Sequence, residues 1–387
     1  MAKSIFHHTK ISGISTVVPA EEIRLQDELQ YFGGDAKKAA RVTKMAGIDR
    51  RRVAAAGITP SDLCQQAAEK LLEGLKLDRS SIDALVFVSQ RPDYVMPATA
   101  CILQDKLKLE QTCATFDMNQ GCTGYVYGLW IACSLVEARA CSRVLLLVGD
   151  GLTHLYDQDN RVVAPVFGDG GTATLIDYTT EETLSWFMLG TDGSGAETLM
   201  LPAGNGRLPL PDTPEEYTPY CERLYDVNGT LWRLNRPYMD GGAVFDFTMN
   251  VVPDHILELL KFAGKTPEQI DYLVLHQANR QIMQTIADKI SFPPEKVPLE
   301  TFSKYGNLAG ASIPSAICDA LAGEIQSSRQ QVLLSGFGVG LSWASAIIAI
   351  DRIWCSGVLD YKKPPSHPGP ADIIAHWRKK ITGQGES

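Results

Sequence analysis

The chain has 387 residues, 45% hydrophobic and 21% charged, which is ordinary for a globular protein able to bury one large core or two smaller ones. Its 36 Lys and Arg against 45 Asp and Glu leave a net charge of -9, which argues against a nucleic-acid binder and restricts any anionic partner to a local basic patch. Nine cysteines, at 64, 101, 113, 122, 133, 141, 221, 318 and 355, form no CxxC pair, so neither a disulfide framework nor a zinc pattern is expected and the thiols should be reduced.

The N-terminal stretch MAKSIFHHTKISGISTVVPAEE lacks a basic segment followed by an apolar run, and no window reaches eighteen uninterrupted apolar residues. A cytoplasmic location without a transmembrane segment is the expectation. Lys37, Lys38, Arg41, Lys44, Arg50, Arg51 and Arg52 then follow closely, with only Asp49 opposing them. Such a run fits a solvated helix end and turn, or a docking face for phosphates or an acidic carrier protein. Residues 61–88 read as an amphipathic helix, a turn and a buried strand.

In TFDMNQGCTGYVYGLWIACSLVEA a short strand from Ala114 to Met118 enters a turn bracketed by Gly121 and Gly124. A helix is expected to begin near Cys122, with apolar positions at 126, 129, 130, 133 and 136. Cys122 would then sit in the first turn, where unpaired N–H groups and the helix dipole favour the thiolate and lower the thiol pKa. Cys64, Cys101, Cys113, Cys133, Cys141, Cys318 and Cys355 read as small apolar residues. Further on, the excursion GLTHLYDQDNRVVAPVFGDGG precedes a stretch from about Gly190 to Met239, rich in Gly, Pro and aromatics, that reads as a loop or cap over a site.

Residues 249–275 repeat the helix, turn and strand of 61–88. Ile270-Asp271 follows Ile82-Asp83 by 188 residues, and the strand at Val332 follows the strand at Val144 by the same interval. Two unrelated landmarks at one offset imply a duplicated α/β unit. The resulting division is 1–180 for a half bearing the nucleophile, 181–355 for a second half with an insertion at 190–239, and 356–387 for a Pro-rich C-terminal extension. That extension includes a short helical pattern with Ile373, Ile374 and Trp377 on one side.

The second half places His276 at the end of the strand YLVLH and Asn307 in the Gly-rich turn KYGNLAGASIPSA. Strand-to-helix junctions are where ligands meet open α/β sheets, although a single His or Asn there often serves the fold alone. The 188-residue offset carries Cys122 onto Gly310, so the Asn307 turn corresponds to the Cys122 turn. Pseudo-twofold packing would bring both to one site.

Several ordered motifs between about Lys10 and Asp351 now carry a resemblance. They are GIDRR at 47–51, GCTG at 121–124, FGDGG at 167–171, MDGGAVFDF at 239–247, HQAN at 276–279, GNLAGASIPSA at 306–316 and GFGVGLSW at 336–343. In these the chain resembles the thiolase superfamily, and within it the β-ketoacyl-acyl-carrier-protein synthase III group and its acyltransferase relatives. The resemblance implies an α/β, five-layered αβαβα fold with two pseudo-duplicated halves, and a homodimer. It implies that Cys122 is acylated from a coenzyme A or acyl-carrier-protein thioester, and that His276 and Asn307 hydrogen-bond the thioester carbonyl as malonyl loses carbon dioxide. The backbone N–H groups of Cys122 and Val339 would form the oxyanion hole, and no metal or redox cofactor would be needed. A neutral His and an Asn can hold an enolate oxygen without quenching the carbanion.

Met96, Asn279, Gly242 and Arg41 are the positions at which the same resemblance points to substrate contacts. Arg41 and Met45 stand where fatty-acid-synthesis members carry a Trp and an Arg that grip coenzyme A. Met96 replaces a bulky Phe that bounds the acyl pocket, Gly242 replaces an Asn, and Gln281 replaces an Arg, with Arg280 one position early. These departures point to a specialised pathway, whether fatty-acid-like, polyketide or another specialised biosynthesis. A same-fold acyltransferase acting on a hydroxyl or amine, and a non-catalytic subunit of a heteromeric synthase, remain the alternatives.

Overall fold

A computed structural model describes residues 2–364 and 367–383; Met1 and the parts of the expected extension at 365–366 and 384–387 lie outside the described residues. In chain order the principal strands are β1 (Ala2–Phe6), β2 (Thr9–Val18), β3 (Ala84–Val88), β4 (Ala114–Met118), β5 (Arg143–Gly151) and β6 (Asp169–Tyr178). They continue as β7 (Ser185–Thr191), β8 (Tyr272–Leu275), β9 (Arg329–Gly338), β10 (Ser342–Asp351) and β11 (Trp354–Asp360). The principal helices are α1 (Ala36–Ala46), α2 (Pro60–Leu75), α3 (Thr99–Lys106), α4 (Gly124–Glu137), α5 (Gly241–Ala263), α6 (Arg280–Lys289), α7 (Ser312–Ala320) and α8 (Pro370–Thr382).

The strands form a six-stranded sheet in the order β11-β2-β6-β5-β3-β4 and a five-stranded sheet in the order β1-β7-β10-β9-β8. The four-strand runs β2-β6-β5-β3 and β7-β10-β9-β8 correspond, and in each the last pair is parallel while its neighbours are antiparallel. The strand starting at Ala84 is matched 188 residues on by the one starting at Tyr272, and the helix starting at Gly124 by the one starting at Ser312. The halves are therefore pseudo-duplicates, as the offset implied.

Each sheet buries both faces, which explains the continuous apolar runs: all five residues of β3, ALVFV, are buried. Helix α2 packs on the outer face of the first sheet and α5 on that of the second, while α4 and α7 lie between the sheets and touch both. Helix α4 accordingly buries residues around its whole circumference, among them Tyr125, Val126, Leu129, Ala132 and Val136. Five layers, αβαβα, result. At the outer helices, Thr59 and Asp62 form a capping box at the start of α2, and the Asp240 carboxylate accepts the Ala243 N–H at the start of α5.

The sheets do not divide the chain at 180 and 355. Strand β1 pairs antiparallel with β7 in the second sheet, and β11 pairs parallel with β2 in the first. An extension counted from 356 thus begins inside a strand, because the free edge of β2 offers N–H and C=O groups that the returning chain satisfies. Between 190 and 239 the chain makes short pieces: a helix at Pro214–Cys221 and two-residue ladders pairing Leu199 with Met239 and Leu224 with Trp232. Helix α8 stands at the end of the chain with Ile374, Trp377 and Ile381 exposed. Among the described residues no helix is long and apolar enough to cross a membrane.

The basic run is divided by contacts invisible in local sequence. Arg51 is 2% exposed and holds Glu28 through two hydrogen bonds of 2.9 and 2.6 Å, while Arg161 reaches the same carboxylate at 2.8 Å. Arg50 pairs with Glu22 at 3.2 Å and Arg52 with Asp360 at 2.8 Å, so Asp49 is not the sole opposing charge. Lys37, Lys38, Arg41 and Lys44 remain on α1.

Burial pushes the Glu28 carboxyl up, but the two guanidiniums outweigh it and hold the pKa below the ordinary value. Its contribution to stability is therefore present above the unfolded carboxylate pKa and lost as pH falls through the folded one. Arg51→Ala leaves Glu28 with Arg161 alone; a loss of roughly 3 kcal/mol is expected in urea denaturation at neutral pH. That loss should shrink on acidification, and a variant as stable as the parent would show that the pair contributes nothing.

Candidate active site

Strand β4 delivers the chain to a turn at the seam between the two halves, and Cys122 lies in that turn, two residues ahead of the first helical residue, Gly124. The close approach explains the bracketing glycines. A Cβ on Gly121 would come within 2.5 Å of the Gln90 side chain, and one on Gly124 within 2.8 Å of Val88. From the other half, β9 passes directly over the thiol: a Cβ on Gly338 would meet the Cys122 Sγ at 3.0 Å, and one on Gly336 the Cys122 carbonyl at 2.9 Å.

Two backbone N–H groups, of Val339 and of Cys122 itself, face the thiol and favour its ionised form. They do not prevail. Burial first, and the Asp150 carboxylate second, push the Cys122 thiol up to about 12, so the expected lowering is corrected: the resting thiol is neutral. Helix-end stabilisation is a local effect, whereas desolvation and the charge of Asp150 come from the packed surroundings.

Asp150 closes β5 and is fully buried. It accepts the backbone N–H of Gln90 at 2.9 Å and of Gly310 at 3.1 Å, and the Ser89 hydroxyl lies at 3.4 Å. Burial raises its carboxyl to about 7. One side chain thereby ties the wall beside Cys122 to the turn that carries Asn307.

That turn is knitted to the first half on both sides: the Asn307 N–H donates to the Val166 carbonyl at 2.8 Å, and the Gly168 N–H donates to the Asn307 carbonyl at 3.1 Å. The Asn307 Oδ1 accepts the Ala309 N–H at 2.8 Å, which fixes the amide orientation and leaves Nδ2 as the end available to a ligand. His276 follows β8, its N–H donating to the Ser335 carbonyl at 2.8 Å and its ring standing edge-on to Phe337 at 5.5 Å. Burial lowers its pKa to about 3, against a weak opposing hydrogen bond with the Ala309 backbone, so the imidazole is neutral at any working pH.

Cys122, His276 and Asn307 line a common cavity of about 230 Å³, roofed by Val162, Leu199 and Met239. A second cavity of about 270 Å³ also reaches Cys122, walled by Leu152, Leu155, Tyr156 and Phe167. The thiol stands where the two chambers meet. Asn279 lines the first and also caps α6, its Oδ1 accepting the Ile282 N–H at 2.8 Å; Val339 lines the second.

Three other expected contacts fall outside both chambers. Arg41 lies on exposed α1, Met96 is 81% exposed, and Gly242 sits one residue beyond the lining Gly241. Sequence reading also passed over Gln90, Asp150 and Tyr156. Asp150 carried a legible signal, an acid closing the apolar run RVLLLVG; Gln90 and Tyr156 carried none.

Against known proteins, the family profile described as 3-oxoacyl-[acyl-carrier-protein] synthase III matches residues 116–193, and that of its C-terminal part matches residues 260–350. Both segments hold site residues: Cys122 in the first, His276, Asn307 and Val339 in the second. A relative from Campylobacter jejuni, named putative 3-oxoacyl-[acyl-carrier-protein] synthase 3, is 35% identical over 363 residues, covering 93% of this chain and 99% of its own. The crystal structure of a 3-oxoacyl-(acyl-carrier-protein) synthase from Burkholderia xenovorans superposes with a TM-score of 0.85 at 35% identity, over 93% of this chain and 99% of that one. The priming β-ketosynthase of the R1128 polyketide pathway, at 23% identity and a TM-score of 0.76, shares the fold.

The charge of Asp150 gives a pH-dependent expectation. Above about pH 7, where its carboxyl is ionised, Asp150→Asn removes a repulsion and should speed iodoacetamide alkylation of Cys122, while below that pH the two proteins should converge. Slower alkylation of the variant at every pH would mean that the hydrogen bonds of Asp150 matter more than its charge.

Proposed function

The chain belongs to the 3-oxoacyl-acyl-carrier-protein synthase III family, and from that membership we propose that it condenses an acyl thioester with a malonyl thioester by decarboxylative Claisen chemistry. It is on this reading an acyltransferase whose intermediate is an acyl group on Cys122. The observation that carries it is the meeting of a buried thiol, a neutral imidazole and an oriented amide N–H in one cavity.

In the first half-reaction the Cys122 sulfur attacks the acyl carbonyl, the Cys122 and Val339 N–H groups hold the developing oxyanion, and the carrier thiolate departs. The proton lost by Cys122 leaves on the departing thiol. In the second, malonyl releases carbon dioxide and its bonding pair passes to the α-carbon, with the enolate oxygen held by His276 and the Asn307 Nδ2. The carbanion attacks the acyl-Cys122 carbonyl, and collapse of the tetrahedral intermediate releases the β-ketoacyl product and expels the Cys122 thiolate, which takes a proton from solvent to restore the resting thiol. An imidazole whose pKa lies near 3 suits this role, since it can donate a hydrogen bond yet carries no extra proton with which to quench the carbanion. Acyl transfer to a hydroxyl or amine would need no such enolate holder.

The carrier of either thioester is coenzyme A or an acyl carrier protein. Asn279 contributes to the first chamber by lining it; Arg41 and Gly242, which do not line it, would act only on the carrier portion outside. The reading includes a cytoplasmic homodimer. Nine unpaired thiols favour a reducing compartment. The edge strand β4 and the exposed Tyr94, Val95 and Met96 favour an interface, across which Met96 could reach an acyl chamber that it does not line within its own chain.

Intact-mass spectrometry tests the chemistry. Wild-type protein offered acyl thioesters should gain the acyl mass, and Cys122→Ala should not; an equal gain on the variant would remove Cys122 from its role. His276→Ala and Asn307→Ala should keep self-acylation but lose carbon dioxide release from malonyl-carrier protein by about 10²-fold or more. Loss of acylation alone would contradict these assignments. Light scattering should return the mass of two chains, and a monomer would withdraw Met96 from the acyl site.

A further inference from the structure

The second chamber is not uniformly apolar: Asn119, Asn205, Gln90 and Tyr156 all line it, and the last two carry the argument. Tyr156 is 6% exposed and its ring stacks on Phe167 at 4.4 Å and 12°, so the side chain is held in place. It belongs to the same buried cluster as Cys122. Its hydroxyl has no hydrogen-bond partner among the described residues, although the side chain lines the cavity. Burial first, then the charge of a Cys122 thiolate, push that hydroxyl above its ordinary pKa, so it stays a donor.

Gln90 is the second group. Its backbone N–H is fixed on Asp150 at 2.9 Å, but its carboxamide makes no hydrogen bond to the described residues. The carboxamide lies over the nucleophile turn, as the 2.5 Å approach to a hypothetical Cβ on Gly121 shows. Around these two, Leu152, Leu155, Leu199 and Leu201 supply apolar wall. The buried Tyr156 hydroxyl and the half-buried Gln90 carboxamide, both without protein partners, can be satisfied by what the cavity holds. A hydrocarbon chain would leave the Tyr156 hydroxyl unpaired.

We propose that Tyr156 and Gln90 are specificity-determining residues, and that the acyl group carried on Cys122 bears its own oxygen, a hydroxyl or a ketone, seated between the phenol and the carboxamide. The inference rests on Cys122 being the acylated residue and goes beyond it by naming the class of acyl group. A hydroxyl suits both partners, since it can accept from the Tyr156 O–H and donate to the Gln90 Oε1. A ketone oxygen can accept from the Tyr156 O–H and from the Gln90 Nε2.

The test compares initial rates of self-acylation by intact mass with matched coenzyme A thioesters: butyryl against 2-, 3- and 4-hydroxybutyryl and 3-oxobutyryl, and the same set built on hexanoyl. At one oxygen position the oxygenated substrate should acylate wild type faster than its plain partner by roughly tenfold or more. Tyr156→Phe, which keeps the ring stack, should bring that ratio to about one, and Gln90→Met should reduce it. A wild-type ratio near one at every position would overturn the proposal, and so would an undiminished ratio in Tyr156→Phe. Absence of any mass gain with all thioesters, plain ones included, would instead show that Cys122 is not acylated and would remove both readings together.

Discussion

The site depends on how closely two turns and one strand can pass each other at the seam of a duplicated fold. Cys122, the Asn307 turn and β9 belong to parts of the chain far apart in sequence, and they meet only because glycines stand at the crossing points. Side chains at Gly336 and Gly338 would strike Cys122, one at Gly310 would approach the Gly121 carbonyl at 3.0 Å, and one at Gly168 would overlap the Tyr305 carbonyl at 2.0 Å. Removing the side chains brings the Val339 and Cys122 N–H groups up to the thiol, so the oxyanion donors proposed for the site belong to the framework and need no rotamer to be held.

That closeness sets the electrostatics as well. Excluding water from the seam keeps the Cys122 thiol and the His276 imidazole neutral and raises the Asp150 carboxyl to about 7, so that its charge changes across neutral pH. A dry site with a neutral thiol and imidazole makes each remaining hydrogen bond stronger, which suits the proposed reaction, whose charge appears as an enolate or oxyanion. The Asp150 carboxylate beside the thiol is occupied in structure, holding Gln90 and Gly310 in place. Rigid donors and a neutral thiol and imidazole are complementary parts of one arrangement.

The cap formed by 190–239 and the excursion 151–171 finish the enclosure. Leu199 and Met239 pair as neighbouring strand residues and both reach the chambers, so a stretch composed of turn-forming residues acquires order through what it covers. The excursion is anchored by the buried Glu28, whose partners are Arg51 and Arg161. Part of a basic run that resembled a docking face therefore belongs to the support of the cavity wall at Val162.

Much of this was readable along the chain. Apolar runs flanked by helical periodicity implied covered sheets, and a 188-residue offset shared by independent landmarks implied the pseudo-twofold that brings Asn307 to Cys122. Those features are local or periodic, and periodicity survives in one dimension. Other properties do not. Which strand completes the opposite sheet, which acid neutralises Arg51 and whether Met96 reaches a pocket are all decided by residues distant in sequence. The state of the Cys122 thiol is the clearest case: the sequence by itself determined its place at a glycine-bracketed strand-to-helix turn, where a dipole would lower its pKa. Only the tertiary structure decided that desolvation and Asp150 outweigh that dipole, because both depend on the atoms the fold packs around the sulfur and not on its neighbours along the chain.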